Sequence, residues 1–346
     1  MNKKSVLVIH GGAGVISKST ISKEREEIFL NSLKNILLAG KIILKQGGTS
    51  LDVVQEAVRL LEEDPIYNAG KGSVFTELGT NEMDAAIMDG TNLKAGAVGG
   101  VSIIRNPIIA ARAVMEHTNH CLLVGKGAEE FAKSKNLEIV EPSFFFTQNR
   151  YDQLLRAKDE KKLILDHDGE NLLEKEKEKE KNNETSTTTT TISVGVDPID
   201  PKYKMGTVGA VCLDSFGNLA AATSTGGMTN KMHGRVGDTP IIGAGVYANK
   251  NVAVSSTGTG EAFMRTVAAF DIAAMMEYGS LSLKDASNKV VMEKLITVGD
   301  GGVICVDKYG NVEMPFNTEG MYRGYVIIDN NCENDQNDII NVSIYK

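Results

Sequence analysis

Three stretches of the chain set hydroxyl groups beside glycines: Met205-Gly206-Thr207-Val208-Gly209, Thr223-Ser224-Thr225-Gly226-Gly227 and Ser256-Thr257-Gly258-Thr259-Gly260. A hydroxyl becomes a nucleophile once a nearby base takes its proton. A threonine at a strand end is by itself an ordinary β-former. Three of them beside glycines are able to share one site. The other nucleophilic and metal chemistries fit poorly. His10, His117, His120, His167 and His233 have neither metal-ligand spacing nor the order of a Ser-His-Asp triad. Cys121, Cys212, Cys305 and Cys332 stand singly, as reduced structural thiols do. The run Gly11-Gly12-Ala13-Gly14 hints at phosphate binding but lacks the G-x-G-x-x-G spacing, and no GK[ST] occurs.

The elements that must position these residues are partly readable. Ser5 to Ile9 reads as a strand, broken by His10-Gly11-Gly12-Ala13-Gly14. Ser22, followed by Glu24, Glu26 and Glu27, opens a helix carrying Phe29, Leu33, Ile36, Gly40 and Ile43 at helical spacing. Thr49 or Ser50 caps the next helix, with Leu51, Val54, Val58 and Leu61 as its stripe and Asp64-Pro65 as its stop. Met83 to Asp89 and Ala95 to Ile104 read as a hairpin across Gly90-Thr91-Asn92. Helical patterns over Ile108 to Met115 and Gly127 to Lys133 flank a short strand, Cys121 to Val124. Thr207 to Leu213 pairs with Leu219 to Thr225, and Val303 to Val306 with Val312 to Met314, each pair across an Asp-x-x-Gly-Asn turn. The first of these hairpins brings Thr207 and Thr225 to one end of adjacent strands. Long helices are expected over Glu261 to Tyr278 and Ser282 to Ile296. Hairpins flanked by paired helices imply an α+β chain, a four-layer α-β-β-α sandwich. A doubly wound parallel α/β sheet competes, because the first third alternates strand and helix.

The 346 residues are enough for one large unit or two lobes. A hydrophobic fraction of 42% with 24% charged residues excludes a wholly disordered or coiled-coil chain. Net charge is -8, which disfavours nucleic acid or an anionic membrane as the main partner. No apolar run approaches the roughly 20 residues of a membrane span, and Ser5 to Ile9 is too short for a secretory core, so a cytoplasmic address is expected. Arg156 to Glu184 holds 8 basic and 10 acidic residues in 29, and a Thr-rich tract follows. Such a segment buries too little apolar surface to offset its ordering entropy, so 147–206 is expected to be a mobile linker, with a solvated helix over Leu172 to Lys181 as the alternative.

The chain resembles the plant-type asparaginases, also called isoaspartyl peptidases, of the N-terminal-nucleophile hydrolases. The resemblance rests on Ile9 to Gly14, Asn68-Ala69-Gly70-Lys71-Gly72, Gly206 to Val211, Thr223 to Asn230, Gly234-Arg235-Val236-Gly237-Asp238, Thr257 to Glu261 and Pro315 to Met321. It implies self-cleavage between Gly206 and Thr207, giving an α chain of 1–206 and a β chain of 207–346 that together form one catalytic domain. Thr207 would be the nucleophile and its freed amine, with a reference pKa of about 7.7 to 8.0, the base. Thr225 would orient Thr207, and Asn68 would support it. The Thr257 hydroxyl and the Gly258 N–H would form the oxyanion hole. Arg235 would clamp a substrate α-carboxylate, with Asp238 and the Gly260 carbonyl holding the α-ammonium.

The substrates implied are small molecules, L-asparagine and β-aspartyl dipeptides, handled without a catalytic cofactor by a homodimer of αβ units. A structural sodium ion is implied on the backbone carbonyls of Leu61, Glu62, Asp64, Tyr67, Ala69 and Lys71. His117 to Gly127 resembles the potassium-independent members. The long charged linker and the tail after Arg323, with its Asn-rich Asp329 to Asp338, depart from the family pattern. A glycosylasparaginase or a taspase-like endopeptidase would share the fold, but Gly206 stands where those relatives carry Asp. A non-catalytic binding scaffold is the alternative from another class, and it would leave the chain unbroken.

Overall fold

The computed structural model describes residues 3–17, 21–166, 206–332 and 337–346. Strand β1, Lys4–Gly14, is buried along nearly its whole length. The glycine run expected to break it continues it instead. The register slips between His10 and Gly12, a bulge that Gly12 accommodates at φ +114°. Helix α1, Lys23–Lys45, starts where Ser22 accepts from Arg25 N at 3.3 Å. Thr49 caps α2, Ser50–Glu63, in the same way. The hairpin β2, Met83–Asp89, with β3, Ala95–Val101, is followed by α3, Pro107–His117, β4, Leu122–Val124, and α4, Gly125–Ser134.

The expectation of a mobile linker from 147 onward is wrong at its start, where α5, Gln148–Asp166, is helical. Its first turns carry the reason: Leu154 is buried, and Tyr151 packs edge-on against Phe75 at 5.9 Å. Charge counts taken further along the chain hid these anchors. Residues 167–205, which include the Leu172 to Lys181 run and the Thr-rich tract, lie outside the described residues.

After Thr207 come β5, Val208–Leu213, and β6, Leu219–Thr225, then β7, Val246–Ala248, and β8, Val252–Gly258. The helix expected over Glu261 to Tyr278 is two: α6, Gly260–Thr266, and α7, Ala268–Glu277, parted by Val267 at φ +50°. Helix α8, Leu283–Asn288, runs on through a π turn, Lys289–Lys294. The last strands are β9, Gly301–Asp307, β10, Val312–Glu313, β11, Gly320–Asp329, and β12, Ile339–Tyr345. The two Asp-x-x-Gly-Asn turns close alike. Asp214 Oδ1 accepts from Phe216 N and Asn218 N, and Asp307 Oδ1 from Tyr309 N and Asn311 N, each at 2.9 Å.

Among the described residues the strands form an eight-stranded sheet, β12-β11-β1-β5-β6-β2-β3-β4, and a four-stranded sheet, β10-β9-β8-β7. Every pairing is antiparallel except β3 with β4. The doubly wound parallel alternative is therefore excluded, and the chain is α+β. The segment beyond Arg323, which matched no expectation, completes β11 beside β1 and adds β12.

Three apolar clusters hold the elements together. One joins Leu33, Leu37, Val54 and Val58 of α1 and α2 and Ile108 of α3 to Leu7, Ile9 and Ala210 of the large sheet. A second joins Val6, Val8 and Val211 of the large sheet to Val246, Ile304 and Val306 of the small one. The third joins Val252, Val254 and Val303 of the small sheet to Ile272, Ala286 and Val290 of the C-terminal helices. Among the described residues no helix is long and apolar enough to cross a membrane.

Candidate active site

A cavity of about 480 Å3 gathers most of the expected residues. Asn68, Gly206, Thr207, Thr225, Arg235, Asp238, Gly258 and Gly260 all line it. They arrive from separate elements: Thr207 precedes β5, Thr225 ends β6, Gly258 ends β8 and Gly260 opens α6. The β5–β6 register, with Val208 opposite Ser224, sets the two hydroxyls at the same end of the sheet. Thr207 is 6% exposed in the unbroken chain.

Gly206 is held between the Gly12–Ala13 backbone and the Thr257 hydroxyl. A Cβ on Gly12 would lie 2.7 to 3.0 Å from the N, O and C atoms of Gly206, and a Cβ on Gly206 would collide with Thr257 Oγ1. In the β1 bulge Gly12 therefore admits another stretch of backbone and Gly11 the Tyr67 ring, not a phosphate. Thr257 is fully buried and accepts from Ala13 N at 3.1 Å, which fixes its oxygen and leaves its hydrogen free to donate.

Thr225 and Asn68 form a clip. The Thr225 hydroxyl accepts from Gly227 N at 2.9 Å, where the sequence expectation had put it on Thr207. Asn68 Nδ2 donates to Gly227 O at 2.7 Å, Asn68 O accepts from Gly226 N at 3.0 Å, and Asn68 Oδ1 accepts from Val74 N at 3.1 Å. Asn68 thus meets the nucleophile's neighbourhood through the turn that follows Thr225.

Arg235, Asp238 and Gly260 meet at one point. A Cβ on Gly260 would lie 2.8 Å from both Arg235 NH2 and Asp238 Oδ1. Arg235 Nε and NH2 donate to Glu261 Oε1 at 3.0 and 2.9 Å. Asp238 is buried, its Oδ2 has no hydrogen-bond partner among the described residues, and burial pushes its pKa up to about 7. A cationic group brought beside that oxygen would restore the charged form.

The carbonyls expected to hold sodium lie in the last turn of α2, at Leu61 and Glu62, and in the tight coil that follows, at Asp64, Tyr67, Ala69 and Lys71. A Cβ on Gly70 would collide with Glu62 O, and one on Gly72 with Tyr67 O. Asp64 O and Ala69 O each accept one backbone bond, from Tyr67 N at 3.2 Å and Gly72 N at 3.1 Å. The Glu62 side chain faces elsewhere, accepting from Ser224 Oγ at 2.7 Å and Ile108 N at 3.0 Å.

Comparison with known proteins adds a second line. The family model described as Asparaginase matches residues 3–334. The chain belongs to the asparaginase family. It is 53% identical over 324 residues to an isoaspartyl peptidase of Salmonella typhimurium, covering 93% of this chain and 95% of that one. The isoaspartyl peptidase of Escherichia coli is also 53% identical, with 93% and 92% covered. A probable isoaspartyl peptidase/L-asparaginase 2 of Arabidopsis thaliana is 39% identical over 318 residues, with 92% and 94% covered.

In this asparaginase-family chain several residues that the sequence did not single out shape the site. Glu82 Oε2 accepts from Gly234 N at 2.9 Å and Asp84 Oδ2 from Gly237 N at 3.3 Å, so two acids, one just before β2 and one within it, grip the loop on either side of Arg235. Lys231 Nζ donates to Glu82 O at 2.7 Å. Burial raises the Asp84 pKa against the pull of Lys231, and burial lowers that of Lys231. His10 lies under the site, with Nε2 2.9 Å from Ser255 Oγ, which is 2.8 Å from Thr223 Oγ1. Burial drives the His10 pKa down to about 3 against a smaller pull from the Thr207 backbone, so it is neutral at ordinary pH. The acidic pair Glu82 and Asp84, two apart at a strand start, was a readable signal. Their targets on the Arg235 loop were not.

Proposed function

We propose that this chain is a self-cleaving N-terminal threonine hydrolase that removes β-aspartyl residues from isoaspartyl dipeptides and converts L-asparagine to L-aspartate and ammonia. The observation that carries this reading is the placement of Gly206 against Thr257 Oγ1 at the wall of the cavity that also holds Thr225, Arg235 and Asp238. The names of the relatives support the same substrates.

In maturation the Thr207 hydroxyl attacks the Gly206 carbonyl carbon. The C–N bond breaks, the ester formed is hydrolysed by water, and Thr207 emerges with a free amine. That amine then takes the hydroxyl proton as Thr207 Oγ1 attacks the substrate's side-chain carbonyl. The Thr257 hydroxyl and Gly258 N–H receive the oxyanion. The leaving nitrogen departs protonated as ammonia or a peptide amine, and water releases L-aspartate from the acyl-enzyme. Arg235 binds the α-carboxylate, and Asp238 with the Gly260 carbonyl binds the α-ammonium. No organic cofactor enters these steps.

The three apolar clusters, in the order helices, large sheet, small sheet, helices, support a four-layer α-β-β-α sandwich of the N-terminal-nucleophile type. The 1–206 and 207–346 chains remain one domain after cleavage, pair as a homodimer of αβ units and work in the cytoplasm. The coil after α2 fits a structural sodium ion, because Gly70 and Gly72 admit the Glu62 and Tyr67 carbonyls to its interior. Measured turnover of a β-aspartyl dipeptide, L-asparagine and a glycosylated asparagine tests the reading. The first two should be cleaved faster than the third, and faster glycoamide cleavage would overturn it.

A further inference from the structure

The cavity wall has a second polar group that the chemistry above does not use. Arg150 and Gln153, one turn apart in the first part of α5, both line the cavity, and they are only 2% and 3% exposed. Arg150 Nε donates to Gly72 O at 2.8 Å and NH1 donates to Gln153 Oε1 at 3.1 Å. The remaining nitrogens, Arg150 NH2 and Gln153 Nε2, are buried and have no hydrogen-bond partner among the described residues.

A buried guanidinium ordinarily has a carboxylate beside it, because an uncompensated charge away from water is costly. Here burial lowers the Arg150 pKa to about 10, and among the described residues the nearby charge that acts on it is another cation, Arg25. Two unpartnered donors on adjacent side chains, within a net positive surrounding, match the two oxygens of one carboxylate. Their link to the chemistry is short. Gly72 leads to Ser73, whose Cβ packs against Gly226, and Gly227 packs against Arg235 NH1. The cavity also exceeds what one amino acid fills, lying within the 300 to 1,000 Å3 typical of larger ligands.

We propose that Arg150 and Gln153 form a leaving-group subsite that binds the C-terminal carboxylate of the peptide released from a β-aspartyl substrate. The subsite rests on the hydrolase reading above and concerns specificity, since L-asparagine has no such carboxylate in its leaving group. Arg150 and Gln153 are binding residues, not participants in bond cleavage.

The test compares kcat/KM of the mature enzyme for β-aspartyl di- and tripeptides, each as the free acid and as the C-terminal amide, with L-asparagine measured alongside. The wild type should prefer the free acid of at least one length by about tenfold, the size expected of one charged hydrogen bond. Arg150→Gln and Gln153→Leu should bring that ratio close to one, and Arg150→Lys should restore part of it. The wild-type comparison needs no variant, so misfolding of Arg150→Gln leaves the test intact. Equal rates on acids and amides with active enzyme would overturn the subsite. So would an effect of both variants confined to self-cleavage, which would assign the pair to the new Gly206 carboxylate. Failure to hydrolyse any of these substrates would instead overturn the hydrolase reading.

Discussion

Gly12 and Gly206 pack backbone against backbone, so closely that a Cβ on Gly12 would lie 2.7 Å from Gly206 N. The bulge in β1 therefore reaches the peptide unit that precedes Thr207. Gly12→Ala adds that Cβ and also strains φ at +114°. Self-cleavage should slow by tenfold or more, on the order of a 1.4 kcal/mol change in barrier, as followed by band intensities on a denaturing gel over time. Cleavage at the wild-type rate would show that the packing plays no part.

Thr257→Val keeps the shape of the side chain and removes its hydroxyl. Loss of one oxyanion donor lowers kcat by about 10² to 10³, and Ala13 N loses its acceptor, which costs about 1 to 3 kcal/mol of stability. Thr257→Ser should retain both properties. Steady-state kinetics and thermal melts of the two variants check this, and a fully active Thr257→Val enzyme would remove Thr257 from the oxyanion hole.

Arg235→Lys keeps the charge but not the planar fork. Because Glu82 and Asp84 hold the loop through Gly234 N and Gly237 N, the loop should stay in place. KM should rise about tenfold, while self-cleavage proceeds normally. An unchanged KM would take Arg235 out of the substrate site.

Asp238 gives a pH signature. Its folded pKa is raised to about 7 by burial, so the folded state holds a proton that the unfolded chain has released. That contribution to stability is complete below the unfolded pKa and is lost as pH rises towards 7, at about 1.4 kcal/mol per pH unit. Asp238→Asn should therefore melt at a higher temperature than the wild type at pH 8, with the difference shrinking towards pH 4. Competitive inhibition by L-aspartate should weaken below pH 7 in the wild type and be weak at every pH in Asp238→Asn. A pH-independent inhibition constant in the wild type would contradict the assignment.

The parts of the fold that local rules control were readable from the chain. Ser22 and Thr49 announce α1 and α2 because a side-chain cap is a local bond, and the Asp214 and Asp307 turns mark two hairpins for the same reason. Features imposed from a distance were not. Gly11 and Gly12 look like a strand end until the Tyr67 ring is seen to need the space at Gly11 and Gly206 the space at Gly12. Val267 takes a left-handed conformation that a β-branched residue does not advertise. Likewise Thr207, Thr225 and Thr257 stood out by type and setting, while the roles of Glu82 and Asp84 on the Arg235 loop and of His10 beside Ser255 emerge only in the folded chain.

The central claim concerns one peptide bond, and an intact-mass measurement with N-terminal sequencing on aged, turnover-active protein tests it most directly. The account predicts two fragments whose masses together match the 37.2 kDa chain, one of them beginning at Thr207, and a single inert band for Thr207→Ala. An active preparation containing only the unbroken polypeptide would contradict it.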